Sequence, residues 1–196
     1  MSTTFGILLF QDVEELDFAG PLEVFGMSRK LLPGRVVTIA ETLAPVQGFN
    51  GLRVLPDHAF SDAPELDVLL VPGGMGTRTE VENPAVIEWL RKVAPTCDWV
   101  TSVCTGTLLL HEAGLVRGRR VTTHWNFVES LRARGEVEVL DDVRYVRDGN
   151  VVTAAGVSAG IDMALWLVGQ LEGPAHARSV QRMLQYDPSP PYTAET

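Results

Sequence analysis

Short apolar runs alternate along the chain with longer segments in which apolar residues recur every three or four positions. The apolar runs lie at residues 5–10, 36–40, 68–71, 99–103 and 151–154. Uninterrupted runs of this length are typical of strands that are buried on both faces of a parallel sheet. The longer segments predict helices at residues 17–33, 83–93, 126–134, 161–171 and 175–184, with one more after residue 105. The alternation predicts a doubly wound α/β sandwich, in which a mostly parallel sheet carries helices on both faces.

Weaker patterns predict the remaining elements. Residues 42–57 read as short extended pieces around a hairpin connection at 47–51. Further short strands are predicted at 118–123, 137–140 and 143–147, with a turn at 148–150. The proline-rich tail at 187–191 cannot be helical and is expected to lie extended on the surface. Because no repeat or low-complexity linker divides the chain, residues 1–196 are expected to form one domain.

The composition excludes several classes of protein. A formal net charge of −9 opposes binding to nucleic-acid phosphates and to anionic membranes. The apolar runs are too short to span a bilayer, and the first residues lack the basic and apolar regions of a signal peptide. The two cysteines are too far apart in sequence for a zinc knuckle and too few for a disulfide framework. We therefore expect a cytoplasmic protein that binds neither nucleic acid nor membrane.

Cys104 gives the strongest chemical signal in the sequence. It directly follows the apolar run at 99–103, and a small-residue turn and a helix-forming segment come after it. A strand, a sharp turn and a helix with a nucleophilic side chain at the bend form a nucleophile elbow at the carboxyl edge of a sheet. The first amides of the helix favour thiolate, so we expect a thiol pKa below the usual cysteine value. The alternative is a buried structural cysteine, because free cysteine is among the most buried residue types.

Two other loops are expected at the same edge, because ligands bind beyond the carboxyl ends of parallel strands. Gly73 and Gly74 follow a buried strand, and their amides could contact substrate as half of an oxyanion hole, completed by the amide of Thr105. The alternative is a glycine turn that only reverses the chain. Asp17 lies in an apolar setting after the first strand. It is either an acid or base beside the thiolate or a helix N-cap, and sequence alone favours the cap.

The histidines and the second cysteine give weaker signals. His124 is the histidine expected nearest to the site, but its spacing from Cys104 is not diagnostic and favours a structural role. Cys97 is expected to be an inert packing residue. No cluster of His, Cys and carboxylate residues has the spacing of a metal site. The other histidines are expected at surface or helical positions: His58, His111 and His176.

Five short motifs together resemble the ThiJ/PfpI superfamily, which implies a class I glutamine amidotransferase-like, flavodoxin-like fold with three layers. The motifs are LDFAGP at 16–21, VPGG at 71–74, TSVCTG at 101–106, TTHW at 122–125 and AGVSAGID at 155–162. The resemblance covers nearly the whole chain and is closest to the isocyanide (isonitrile) hydratases. Sensor domains of AraC-type regulators carry similar motifs.

The resemblance also implies roles for individual residues. The family's nucleophile falls on Cys104 and its acidic partner on Asp17, where the hydratases have Asp and many relatives, including glyoxalase and deglycase members, have Glu. The family's polar neighbour of the cysteine falls on Thr105. Protease-like members have His at that position, which disfavours a Cys–His peptidase. Gly156 and Val157 match the stretch whose backbone lines the hydratase pocket.

Hydration of isocyanides to N-substituted formamides, through a thioimidate on Cys104 and without a metal or organic cofactor, is the activity that the resemblance implies. The implied partners are a small-molecule substrate and a second copy of the chain in a homodimer. Two alternatives stay open: a non-catalytic metabolite or redox sensor, and a glyoxalase or deglycase. The hydratases continue with a further C-terminal helical extension, whereas this sequence ends at Thr196, which departs from their pattern.

Overall fold

A central sheet with flanking helices organises the protein in a computed structural model that describes residues 2–188. The strands are β1 (Thr3–Leu8), β2 (Gly34–Ala40), β3 (Val46–Gln47), β4 (Arg53–Val54), β5 (His58–Ala59), β6 (Val68–Val71), β7 (Trp99–Val103), β8 (Arg120–Val121), β9 (Glu138–Val139), β10 (Tyr145–Asp148) and β11 (Val151–Ala154). The helices are α1 (Glu15–Leu31), α2 (Thr77–Glu80), α3 (Pro84–Val93), α4 (Gly106–Glu112), α5 (Val128–Arg134), α6 (Ala159–Glu172) and α7 (Pro174–Met183). Short 3₁₀ helices cover Ala94–Thr96 and Trp125–Phe127.

The strand order confirms the predicted mostly parallel sheet. Its strands lie side by side in the order β10-β11-β7-β6-β1-β2-β5, and only β10 runs antiparallel to its neighbour. The predicted apolar runs form β1, β2, β6, β7 and β11. The strands predicted near 118–123 and 137–140 shorten to β8 and β9, which pair only with each other. The predicted hairpin is the antiparallel pair of β3 and β4.

Helices cover both faces of the sheet, as predicted for a three-layer α/β fold. On one face α1, α6 and α7 pack together around the stacked rings of Phe5 and Phe25, whose centroids are 4.3 Å apart. On the other face α3 and α4 contribute Leu90 and Leu109 to the larger core. Because both faces are covered, the central strands carry apolar residues at nearly every position.

Small residues bring α1 and α6 close together. A Cβ added to Gly20 of α1 would lie 2.8 Å from a side-chain carbon of Ile161, and one added to Gly160 of α6 would lie 3.3 Å from Pro21. This contact sets the start of α1 beside the segment that leads into α6. Within residues 2–188, every helix is too short or too polar to cross a bilayer.

The start of the first helix differs from the prediction. Helix α1 begins at Glu15, so Asp17 lies inside its first turn rather than before it. Of the predicted extended tail, Asp187 and Pro188 have no regular structure, and residues 189–191 lie outside the described residues. The carboxyl ends of β1, β6 and β7 meet at one edge of the sheet, and the segments that follow them carry the candidate site.

Candidate active site

Cys104 lies at the sharp turn between β7 and α4, which confirms the predicted strand–turn–helix arrangement. Its φ of 57° falls in the left-handed region, which non-glycine residues rarely adopt. The Cys104 amide donates hydrogen bonds to the carbonyls of Ala154 (3.1 Å) and Ala155 (2.9 Å). Its carbonyl accepts one from the hydroxyl of Thr123 (2.8 Å). Backbone strain of this kind, about 1–3 kcal/mol, persists only where the surroundings fix it, and it clusters at functional sites.

Asp17 is fully buried beside the sulfur of Cys104. Its Oδ2 accepts the backbone N–H of Gly73 at 2.9 Å. Among the described residues Oδ1 has no hydrogen bond of standard geometry, although the Cys104 thiol and the Val157 amide lie close enough to lower the pKa of the carboxyl. Burial outweighs these contacts and, with the nearby charge of Glu14, raises the pKa of Asp17 to about 7.

The N-cap interpretation of Asp17 is therefore wrong. Glu14 occupies the N-cap position of α1, and its side chain makes no capping bond. The Asp17 side chain instead crosses to the loop after β6 and receives the Gly73 amide. A carboxyl that is buried, half-satisfied and shifted toward neutral pH is suited to proton transfer.

The thiol of Cys104 does not have the lowered pKa that its elbow position predicts. Burial, together with the charge of Asp17, raises the pKa of Cys104 to about 12. Hydrogen bonds from the amide and the hydroxyl of Thr105 act in the opposite direction but are outweighed. At neutral pH the sulfur therefore holds its proton, and Asp17 is the adjacent group that can accept it. Each of the two buried groups shifts the pKa of the other, so their titrations are coupled.

Gly73 and Gly74 do not form the predicted oxyanion hole, because both amides are already bonded within the protein. The Gly73 amide donates to Asp17, and the Gly74 amide donates to the hydroxyl of Thr105 at 3.1 Å. Both positions need glycine because neighbouring segments of the chain lie too close for a side chain. A Cβ on Gly73 would lie 2.5 Å from the backbone nitrogen of Thr105, and Gly74 has a φ of 127°. These glycines seat Asp17 and Thr105 around Cys104.

The Thr105 side chain is held by two residues that follow the glycine loop. The hydroxyl of Thr77 lies 3.1 Å from Thr105 Oγ1, and Nη1 of Arg78 lies 3.3 Å from it. Both groups also donate to the carbonyl of Gly74, each at 2.8 Å. The guanidinium of Arg78 lies over the ring of Phe127, 5.1 Å from its centroid.

A cavity of about 230 Å³ opens beside Cys104. Its wall combines apolar and polar residues from several loops: Glu14, Phe49, Gly74, Met75, Arg78, Cys104, Thr105, His124, Asn126 and Val157. Phe49 and Met75 are about half exposed there, at 54% and 52%. Within the described part of the chain, His, Cys, Asp and Glu side chains form no cluster that could hold a metal ion.

The other predicted site residues lie around this cavity. Val157 is part of the wall and has a φ of 44°, a strained conformation for a β-branched residue. Gly156 lies behind His124, because a Cβ at this glycine would be 2.4 Å from the imidazole ring. The His124 ring is also in the wall, and its Nδ1 lies 2.6 Å from Oδ1 of Asn126.

Cys97 is a buried packing residue, as expected, and its chemical inertness stays a prediction. It is buried, lies outside the cavity wall and directs its sulfur to the carbonyl of Val93 at 3.4 Å. Burial raises the pKa of Cys97 to about 11. The remaining histidines are half-buried: His58 on β5, His111 on α4 and His176 on α7.

Sequence reasoning missed half of the residues of the cavity wall, among them Arg78, Phe49 and Glu14. Arg78 comes soon after the glycine loop in the sequence. A cationic residue so close to a predicted site could have been recognised as part of that site. Phe49 lies in the predicted hairpin connection, but the contact between that hairpin and the site depends on tertiary structure. Glu14 is one of several acidic residues near the start of α1, so the sequence did not distinguish it. Burial and the charge of Glu15 raise the pKa of its carboxyl.

Comparison with known proteins places this site in a family. The model of the DJ-1/PfpI family matches residues 5–170. Isonitrile hydratase of Pseudomonas putida is 42% identical over 192 residues, which cover 98% of this chain and 82% of that protein. The HTH-type transcriptional regulator CdhR of Pseudomonas aeruginosa is 30% identical over 182 residues, 92% of this chain but only 54% of the regulator.

The solved structures agree with these matches. A ThiJ/PfpI family protein from Pseudomonas syringae superposes with a TM-score of 0.93 at 32% identity, over 100% of this chain and 80% of that one. The sheet order, the elbow at Cys104 and the resemblance of the motifs all agree with this result. The chain belongs to the DJ-1/PfpI family.

Proposed function

We propose that this protein is an isocyanide hydratase that converts isocyanides into N-substituted formamides through a covalent thioimidate on Cys104. The observation that carries the proposal is the buried pair of Asp17 and Cys104 at the end of a small cavity. Similarity to an isonitrile hydratase over nearly the whole chain supports an enzyme of the hydratase (lyase) class.

The first chemical step forms a carbon–sulfur bond. Asp17 accepts the proton of the Cys104 thiol as the sulfur attacks the terminal carbon of the isocyanide. The displaced π electrons move to the nitrogen, the carbon keeps the lone pair that it already had in the isocyanide, and Asp17 returns the proton to that lone pair. The product is a thioimidate, R–N=CH–S–Cys104, with Asp17 again ionised. A pKa near 7 suits both halves of this transfer.

The second step consumes water. Water, positioned by Asp17 and the Thr105 hydroxyl, adds to the thioimidate carbon, and Asp17 takes one of its protons. The carbon–sulfur bond then breaks as the carbon–oxygen double bond forms. One water proton ends on the nitrogen and the other on the sulfur of Cys104. The sum is addition of one water to one isocyanide, and no oxidant, metal or organic cofactor takes part.

The cavity supports a preference for apolar substituents on the isocyanide nitrogen. Phe49, Met75 and Val157 form an apolar part of its wall, and two of them are half exposed. Half-exposed large apolar side chains in a cavity wall are typical of sites that bind apolar groups. The volume of about 230 Å³ fits a substituent of a few carbon atoms or one small ring.

A turnover assay tests the proposal. Purified protein incubated with a simple alkyl or aryl isocyanide should release the matching formamide. Chromatography measures the formamide over time. Cys104→Ser should abolish the reaction, because a serine hydroxyl is a far weaker nucleophile without a strong base. Cys97→Ser is the matched control, and its turnover should stay within a few-fold of that of the natural protein. No formamide from any of several isocyanides, or equal losses in both variants, would contradict the proposal.

The regulator relative favours a second candidate, a metabolite or redox sensor. This chain corresponds to about half of that regulator's length, as expected if it matched a sensing domain. Binding of isocyanide without release of formamide would favour this function. A glyoxalase or deglycase role is disfavoured by Asp17, since the resemblance places Glu there in those enzymes. The single domain, the homodimer and the cytoplasmic location stay predictions from the sequence.

A further inference from the structure

Arg78 is part of the cavity wall, and the protein uses only one end of its guanidinium. The residue lies on α2, soon after the glycine loop, and is exposed. Its Nη1 lies 2.8 Å from the Gly74 carbonyl oxygen, 3.1 Å from Thr77 Oγ1 and 3.3 Å from Thr105 Oγ1. In the part of the chain that the structure describes, every hydrogen bond of this side chain runs from Nη1. The edge formed by Nε and Nη2 is therefore left for a ligand.

This free edge has the geometry that binds a carboxylate. The N–H groups of Nε and Nη2 point the same way in the guanidinium plane and can donate two parallel hydrogen bonds to the two oxygens of one carboxylate. The contacts at Nη1 hold one end of the group, and the ring of Phe127, centred 5.1 Å from the guanidinium carbon, supports its face. Because the guanidinium is already held, a carboxylate that binds there orders few additional groups.

The charge of Arg78 has no carboxylate partner among residues 2–188. The ion pairs in this part of the chain involve other arginines and His58. Glu14 shares the cavity wall but is not within ion-pair distance of Arg78. An arginine in the wall of a binding cavity that binds only neutral oxygens is suited to an anionic group of the ligand. A carboxylate fits better than a phosphate, because one arginine would balance only part of a dianion's charge beside Glu14.

We infer that Arg78 determines specificity by binding a carboxylate on the substrate, so that the favoured isocyanides are short isocyano carboxylates. The apolar part of the wall, formed by Phe49, Met75 and Val157, contacts the carbon chain between the two functional groups. A cavity of about 230 Å³ accommodates a chain of a few carbons that ends in a carboxylate. The isocyanide as reacting group rests on the proposed function, whereas the contact between Arg78 and a carboxylate does not.

Two matched substrates test the inference: 3-isocyanopropanoate and its methyl ester, which keeps the chain and removes the charge. In the natural protein, kcat/KM should be about tenfold higher for the anion, because charge-assisted bidentate hydrogen bonds are among the strongest. Arg78→Met should reduce this ratio to about one or below. Arg78→Lys keeps the charge but loses the forked donors, so its ratio should be intermediate. Arg117→Met, at an exposed ion pair outside the cavity wall, is the matched control and should leave the ratio unchanged.

The ratio separates binding of the carboxylate from support of the glycine loop. Loss of the contacts of Nη1 with Gly74 and Thr105 should lower kcat/KM for both substrates alike, and a common loss cancels in the ratio. Glu14→Gln removes a charge that opposes the anion and should raise the ratio by about two- to fivefold. Equal kcat/KM values for the two substrates in the natural protein overturn the inference. A ratio that Arg78→Met leaves unchanged, or that Glu14→Gln lowers, also overturns it.

Binding of the reaction products distinguishes failure of this inference from failure of the proposed function. Calorimetry measures binding of 3-formamidopropanoate and of its methyl ester, and neither measurement requires turnover. Tighter binding of the acid that Arg78→Met abolishes, without turnover of any isocyanide, would support the carboxylate contact and count against the proposed function. Turnover of neutral isocyanides with no preference for the anion or for its product would do the reverse. Arg78→Lys provides both comparisons if Arg78→Met fails to fold.

Discussion

The carboxylate of Glu15 accepts hydrogen bonds from both the backbone amide (2.7 Å) and the side-chain amide (2.8 Å) of Asn50. A longer bond from the Leu52 amide, at 3.3 Å, joins them. Burial opposes ionisation of Glu15, but these hydrogen bonds prevail and lower its pKa. Asn50 is adjacent to Phe49 at the tip of the β3–β4 hairpin. The start of α1 therefore fixes the loop that carries Phe49 into the cavity wall.

Phe49→Ala should weaken binding of isocyanides with large apolar substituents. We expect KM for benzyl isocyanide to rise about tenfold, because contact with one aromatic face contributes about 1–2 kcal/mol. KM for methyl isocyanide, which is too small to reach Phe49, should change by less than about twofold. Steady-state kinetics on both substrates measure the difference.

Two further variants locate the cause of that change. Glu15→Gln should reproduce part of the rise in KM for benzyl isocyanide, since it weakens the bonds that hold the hairpin tip. Leu55→Ala is the control, because Leu55 is 69% exposed and lies outside the cavity wall. Equal changes in KM for both substrates would show that Phe49 acts on the fold and not on the substituent.

Local sequence patterns predicted the elements that build the site. The strand at 68–71 and the strand at 99–103 form β6 and β7 with those bounds, because an apolar run between turn residues has few other stable arrangements. The two-residue strand β5 was missed, since its pairing with β2 depends on tertiary contacts. The helix over 83–93 was predicted from Pro84, and Asn83 caps it.

Nonlocal contacts explain what the sequence could not predict about the site. The elbow motif favours a lowered thiol pKa, but burial of the sulfur and the charge of Asp17, on α1, reverse the direction. Asp17 was assigned to a helix cap because its partner, the Gly73 amide, lies 56 positions away. The oxyanion-hole interpretation failed for the same reason, since Asp17 and Thr105 occupy the glycine amides.

Asp17→Asn should change both turnover and the pH dependence of stability. Turnover should fall by about 10²–10⁴, the usual contribution of general acid–base catalysis. Burial raises the folded-state pKa of Asp17 to about 7, so the folded protein binds this proton more tightly than the unfolded chain does. The contribution of proton binding to the free energy of unfolding is complete below about pH 3.8 and is lost as the pH rises to 7. The variant should therefore gain stability relative to the natural protein between pH 4 and 8, on the order of 2–4 kcal/mol.

Thermal or urea unfolding of both proteins at several pH values measures this gain. The Gly73 amide can still donate to the side-chain oxygen of the introduced asparagine, which limits other structural change. A variant with natural turnover and no pH-dependent gain would make Asp17 a structural residue. Glu23→Gln, an exposed carboxylate on the same helix, is the control and should show neither effect.

Gly73→Ala should disturb the site more than the fold. The new Cβ would lie 2.5 Å from the Thr105 nitrogen and 2.9 Å from Asp17 Oδ2, so backbone around the reactive pair must move. We expect a loss of about 1–3 kcal/mol in unfolding free energy and at least a tenfold loss of turnover. Gly26→Ala is the control, because nothing lies within 4 Å of a Cβ there. Natural turnover in Gly73→Ala would show that the close approach is not required.

The covalent thioimidate on Cys104 is the central claim, and intact-protein mass spectrometry tests it most directly. The protein is mixed with a slight excess of benzyl isocyanide, quenched in acid during the first turnover and digested to locate any adduct. We predict a mass increase equal to that of one whole isocyanide, because the addition has no leaving group, and we predict it on the peptide that contains Cys104. The increase should disappear as formamide is released, and Cys104→Ser should show none. Formation of formamide with no adduct on Cys104 at any time, or with an adduct on another residue, would contradict the account.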